Sequence, residues 1–195
     1  QLNAVAHILY GNNTLLAQKY GADGLLSVTP YYNKTSQAGL VKHFTTIADS
    51  VDLPIILYNV PSRTGCNMQP KTYAELEKHQ NIVGVKEANG DISSVSLTRS
   101  LCSDDFAIYS GNDDQTVPFM SLGGKGVISV FSNFCPKEMH EICQACLDND
   151  FQRAAEMNFH FVELMDIMFS DVNPIPVKTA MNLIGFNAAF YGDVP

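Results

Sequence analysis

The stretch Ile82-Val83-Gly84-Val85-Lys86-Glu87 carries a lysine inside an apolar run. In an extended strand Lys86 shares a face with Ile82 and Gly84, and Val83, Val85 and Glu87 share the other. A lysine packed into a strand interior loses hydration, which disfavours the ammonium form. The neutral amine can then attack a carbonyl carbon and form a Schiff base. Gly84, one step down the same face, leaves room for it. The other readings are a strand-end lysine that reaches solvent and one that pairs with Glu87. A second stretch, Ile55-Ile56-Leu57, ends in Tyr58 and runs on through Val60-Pro61-Ser62-Arg63-Thr64-Gly65. A phenol at a strand end can donate to a carbonyl oxygen and pass a proton. The planar fork of Arg63 suits a substrate carboxylate. Taken singly, Tyr58 also reads as a core aromatic and Arg63 as half of a loop ion pair. A third stretch ends Thr29-Pro30-Tyr31-Tyr32-Asn33-Lys34; its paired aromatics would line a pocket, pack on a neighbouring chain or anchor the loop.

Other groups rank lower. His140, Cys143 and Cys146 follow at i, i+3 and i+6 on an expected helix, where the first and last point well apart at ~100° per residue. With no second cluster to complete a four-ligand site, small core cysteines are the better reading and no metal is expected. Asp113-Asp114 reads as a helix N-cap with a solvated neighbour. The Met and Phe positions from Met157 to Phe169 read as core or subunit interface. Gly123-Gly124-Lys125-Gly126 precedes a strand and lacks phosphate-loop spacing.

Short apolar, β-rich stretches begin at positions 24, 54, 82, 106 and 126. Helix-compatible segments lie between them, at Gln37 to Ser50, Pro70 to Lys78, Asp91 to Leu101 and Asp114 to Leu122. This alternation reads as βα units of a parallel sheet. After residue 136 the strand signals cease, and Pro136 to Leu147, Phe151 to Phe169 and Pro176 to Leu183 read as helices. The expected organisation is a partial (β/α) unit over 1–135 and a helical extension over 136–195. An open doubly wound sheet and a (β/α) barrel both fit, and both place their sites at the C-terminal ends of strands.

The chain has 195 residues, 12 Lys+Arg against 20 Asp+Glu, and 46% hydrophobic residues. That is too apolar for disorder, and a net charge of −8 argues against nucleic acid or an anionic membrane as partner. No apolar run reaches the ~18 residues of a membrane span. Five scattered cysteines without a signal segment argue against a disulfide framework and for the cytoplasm. The length is short for a barrel of ~250 residues, and the chain opens with Gln1.

The motifs Thr29-Pro30-Tyr31-Tyr32-Asn33-Lys34, Tyr58-Asn59-Val60-Pro61-Ser62-Arg63-Thr64-Gly65, Gly84-Val85-Lys86-Glu87-Ala88, Ser110-Gly111-Asn112-Asp113 and Gly126-Val127-Ile128-Ser129-Val130 resemble the dihydrodipicolinate synthase family, within the superfamily of N-acetylneuraminate lyase. Asn173-Pro174-Ile175-Pro176-Val177-Lys178 is similar as well. The resemblance runs over about residues 17 to 187. It implies an α/β (β/α)8 TIM-barrel fold, here about the last five βα units plus the helical extension, in a homotetramer. It implies condensation of pyruvate with aspartate 4-semialdehyde in lysine and diaminopimelate biosynthesis, without a cofactor. By the same resemblance Lys86 forms the pyruvate Schiff base and Tyr58 relays protons. Tyr32 completes the relay from a neighbouring subunit, Arg63 binds the semialdehyde carboxylate, and Gly111 and Ile128 line the pyruvate site.

Some of the family pattern is missing. The family's Gly-Thr-Thr-Gly-Glu motif, from an earlier βα unit, has no counterpart; Thr45-Thr46 falls on an expected helix. Residues 1 to 16 do not match the preceding strand and helix in spacing. Two alternatives therefore stand beside the synthase: a related 2-oxo acid aldolase such as a sialic acid lyase, and a truncated homologue acting only in oligomerisation.

Overall fold

The computed structural model describes residues 5–8 and 12–186, with side chains from Asn13 onward. They fall into two compact units, Gln1–Tyr109 with Leu122–Lys125, and Ser110–Ser121 with Gly126–Pro195.

The first unit is a parallel sheet in chain order. Its strands are β1 (Val5–Ile8), β2 (Gly24–Val28), β3 (Ile55–Asn59), β4 (Ile82–Glu87) and β5 (Ala107–Ser110). The β1–β2, β2–β3 and β3–β4 pairs are all parallel. Their apolar runs are nearly continuous because helices cover such strands. The helices are α1 (Asn12–Lys19), α2 (Gln37–Ala48), the single turn α3 (Pro61–Thr64), α4 (Pro70–Leu76) and α5 (Ile92–Leu101). Their ends follow from local chemistry. Ser36 caps α2 by accepting from the Gly39 N–H, and Asp91 caps α5 by accepting from the Ser93 N–H. Pro70 opens α4, where its missing N–H costs nothing. Leu40, Phe44 and Ile47 form the buried stripe of α2, and Thr72, Tyr73 and Leu76 that of α4.

Two expectations change here. The strand β1 and helix α1 precede the first strand read from sequence, with Val5 opposite Gly24 and Ile8 opposite Ser27. Four residues that include His7 are too short for a period-two signal, and pairing with β2 supplies what the pattern lacks. Gly84 does leave room, but for backbone: a Cβ there would lie 2.3 Å from the Ala107 carbonyl oxygen. The missing side chain is what lets β5 approach β4.

The second unit comprises β6 (Gly126–Val127), α6 (Thr116–Ser121), α7 (Pro136–Leu147), α8 (Phe151–Ile167) and α9 (Ile175–Leu183). The apolar stretch expected to stay extended to Val130 stops after Val127. Val130 and Phe131 donate their N–H groups to Asp113 Oδ2 at 3.1 and 2.9 Å, and a 3₁₀ turn follows over Phe131–Asn133. Asp113 was expected to cap its own helix. It begins a 3₁₀ turn instead, with Asn112 at the N-cap position, and its carboxylate caps the turn at Phe131.

Cys146 is buried with Met120, Ala145 and Ala154, and Cys143 packs against the same cluster. Burial pushes the Cys143 thiol up to about 11. The expected core role of the Met157–Phe169 segment holds for Met165, Met168 and Phe161, which packs on Phe131; Phe159 and Phe169 are exposed. The last nine residues of the expected helical extension, 187–195, lie outside the described residues.

Candidate active site

Tyr58 and Lys86 meet because of a register shift. Ile55 pairs with Ile82, but Ile56 pairs with Gly84, so the irregularity skips Val83. From there the ladder runs Leu57 to Val85, Tyr58 to Lys86 and Asn59 to Glu87. Tyr58 and Lys86 thus stand opposite each other at the C-terminal ends of their strands, both half-buried. The Lys86 ammonium nitrogen lies 4.3 Å from the centroid of the Tyr58 ring, within cation–π range. Burial holds the Tyr58 phenol above its ordinary range, and the positive charge of Arg63 pulls it partly back. A phenol that keeps its proton can donate to a carbonyl oxygen beside the amine.

Glu87, the next residue after Lys86, faces the other side of the sheet. It accepts hydrogen bonds from the Tyr73 hydroxyl at 2.6 Å and the Asn59 amide at 3.0 Å on the opposite face of the sheet.

Arg63 stands in α3, directly after β3. Pro61 opens this turn and Gly65 closes it in the left-handed region at φ 65°. The Thr64 hydroxyl ties it down, accepting from Thr29 Oγ1 at 3.1 Å and donating within its own loop. Thr29 ends the β2 run, so the loops after β2 and β3 are fastened together. Lys34 lies across Gly65, where a Cβ would meet its Cε at 2.8 Å. Between these anchors Tyr32 stands 90% exposed. Its φ of 64° is a conformation that tyrosine rarely adopts.

Gly111 and Ile128 belong to the second unit. Gly111 follows β5 and Ile128 follows β6, and the Ile128 N–H donates to the Ser110 carbonyl at 2.9 Å. Tyr58, Lys86 and Arg63 gather at the β3 and β4 ends of the first unit, with Tyr32 on its β2 loop. The described residues hold no group of three or more His, Cys, Asp or Glu able to take a metal ion.

The model of the dihydrodipicolinate synthetase family matches residues 12–193. The chain belongs to that family. It is 58% identical over 172 residues to the 4-hydroxy-tetrahydrodipicolinate synthase of Thermoanaerobacter sp. (strain X514), covering 88% of this chain and 58% of that protein. Among solved structures it superposes on the synthase of Methylacidiphilum fumariolicum SolV with TM-score 0.92 and 38% identity, covering 98% of this chain and 65% of that one. The synthase from Aquifex aeolicus gives TM-score 0.90 and 41% identity, with coverages of 95% and 64%. The fold is therefore that of the TIM-barrel synthases, and the chain spans about three fifths of the length of these relatives.

Sequence reasoning missed Asn59 and Tyr73 and treated Glu87 only as an alternative partner for Lys86. The signal was present: alternation puts Glu87 with Val83 and Val85, and a carboxylate on a packed face must find donors.

Proposed function

We propose that this member of the dihydrodipicolinate synthetase family is a Schiff-base aldolase-type lyase that condenses pyruvate with aspartate 4-semialdehyde. The product is 4-hydroxy-tetrahydrodipicolinate, on the route to diaminopimelate and lysine. The observation that carries this reading is the pairing of Tyr58 with Lys86, which sets a phenol against an amine at one strand end.

The Lys86 amine adds to C2 of pyruvate and water leaves, giving an imine. Loss of a C3 proton gives the enamine, whose C3 attacks the aldehyde carbon and forms the new carbon–carbon bond. The amino group of the semialdehyde part then adds to C2, closing the ring, and the Lys86 amine leaves as the ring imine forms. Tyr58 passes the protons, its phenol kept in the donor form by burial. Arg63, exposed on its tethered turn, takes the carboxylate of the semialdehyde. Tyr32, held at positive φ and exposed, reaches a neighbouring copy in a homotetramer, in the cytoplasm.

The test is turnover of pyruvate with aspartate 4-semialdehyde by the full chain. The expected result is condensation that disappears in Lys86→Ala. Condensation with another aldehyde only would point to a related 2-oxo acid aldolase. No condensation with any acceptor would leave the oligomerisation reading.

A further inference from the structure

Behind the reactive pair lies a polar network that the reaction above does not use. Asn59 and Glu87 are paired one residue beyond Tyr58 and Lys86, so they point to the opposite face of the sheet. Both are sealed from solvent, at 0% and 3% exposure. The Glu87 carboxylate accepts from Asn59 Nδ2 at 3.0 and 3.1 Å, from the Tyr73 hydroxyl at 2.6 Å and from the Asn89 N–H at 2.9 Å. Asn59 goes further: its amide donates to Asn67 Oδ1 at 2.8 Å and its oxygen accepts from the Met68 N–H at 3.0 Å. The Ala88 N–H donates to the Asn59 carbonyl at 2.8 Å. One carboxylate therefore joins the end of β3, the end of β4 and α4, and through Asn59 it reaches the segment just after the Arg63 turn.

We propose that Glu87, held by Asn59 and Tyr73, is a positioning residue that fixes the two strand ends so that Lys86 meets its carbonyl substrate beside Tyr58. The proposal rests on the Schiff-base reading of Lys86. A buried carboxylate is an expensive way to hold two strands, since apolar side chains of the same size would pack there without desolvating a charge. What the carboxylate adds is direction. Its hydrogen bonds to Asn59, Tyr73 and Asn89 are short and oriented, and they act where the β3–β4 ladder stops and backbone pairing no longer sets the distance. A displacement of about 1 Å between reacting groups can cost about a hundredfold in rate.

The experiment measures how fast borohydride traps a pyruvate adduct on Lys86 in the full chain, across a range of pyruvate concentrations. Glu87→Gln keeps the shape but turns an amide NH₂ toward groups that already donate. Tyr73→Phe keeps the ring packed near Phe106 and removes only one donor. Asn81→Ala is the control; it removes hydrogen bonds to Ala48 and Val51 at the other end of β4. The expected result is a fall of about tenfold or more in maximal trapping rate for Glu87→Gln. Tyr73→Phe should fall severalfold, the pyruvate concentration for half-maximal rate should stay the same, and Asn81→Ala should match the parent chain. Parent-like rates in folded Glu87→Gln would overturn the proposal. So would an equal slowing in Asn81→Ala, which would mean that lost stability alone is being read. If Glu87→Gln does not fold, a parent-like rate in Tyr73→Phe overturns the proposal. A parent chain that traps nothing refutes the Schiff-base reading itself, a different failure.

Discussion

On one face of the β3 and β4 ends, Tyr58 and Lys86 stand opposite each other and are half-buried. On the other face, the next pair in the same ladder, Asn59 and Glu87, is buried and hydrogen-bonded on every side. On the proposed reading, the same two strands carry a face that reacts and a face that holds still. Saturated hydrogen bonding makes a group rigid and unreactive, whereas a nucleophile must keep its lone pair available.

Substitutions can separate the two faces, and the largest expected effect is on the reactive one. Tyr58→Phe removes the proposed proton relay and should lower condensation about 10²–10⁴-fold. Its urea midpoint should change little, since the hydroxyl stands at a half-buried strand end. A parallel loss of stability would show that Tyr58 is structural. Gly84→Val should disturb both faces together. Its Cβ would lie 2.3 Å from the Ala107 carbonyl oxygen, and overpacking of this kind costs about 3 kcal/mol or more, read from urea denaturation.

The sealed face should show itself in pH dependence. Burial raises the Glu87 carboxyl from 4.5 to about 7, outweighing the hydrogen bonds from Tyr73, Asn59 and the Asn89 and Ala88 backbone that pull it down. The folded state then binds this proton more tightly than the unfolded chain does. Stability is lost as pH rises from about 4.5 to about 7, and the loss is constant above that. Glu87→Gln has no such proton to lose. Its stability relative to the parent should therefore climb by about 3 kcal/mol over this window, measured by urea melts at several pH values; a flat difference would place the carboxylate in water. The smallest effect is expected at Thr29→Val, which removes the hydroxyl donating to Thr64. The cost should be about 1 kcal/mol, with a rise in the half-saturating aldehyde concentration because the Arg63 turn is tethered there.

The residues proposed to react could be read from the sequence, and the sealed pair behind them could not. Lys86, Tyr58 and Arg63 announce themselves by type, as a cation in an apolar run, a phenol at a strand end and a guanidinium just past it. Asn59, Glu87 and Tyr73 do not, because their role depends on the β3–β4 register. That register contains a skipped residue at Val83 which no periodicity reveals. Helices with a cap or an opening proline, such as α2, α4 and α5, were placed to within a few residues. The misplacements fall where side chains compete with the backbone: Asp113 takes the N–H groups of Val130 and Phe131 and ends the extended run early. Strand β1 was missed because four residues with a histidine among them carry no pattern of their own.

The measurement that bears most directly on this account is borohydride reduction of the full chain with pyruvate, followed by peptide mapping. The account predicts a single modified lysine, Lys86, and no adduct at Lys34, the lysine that lies across the Gly65 turn. An unmodified Lys86 in folded protein, or an adduct spread over several exposed lysines, would contradict it.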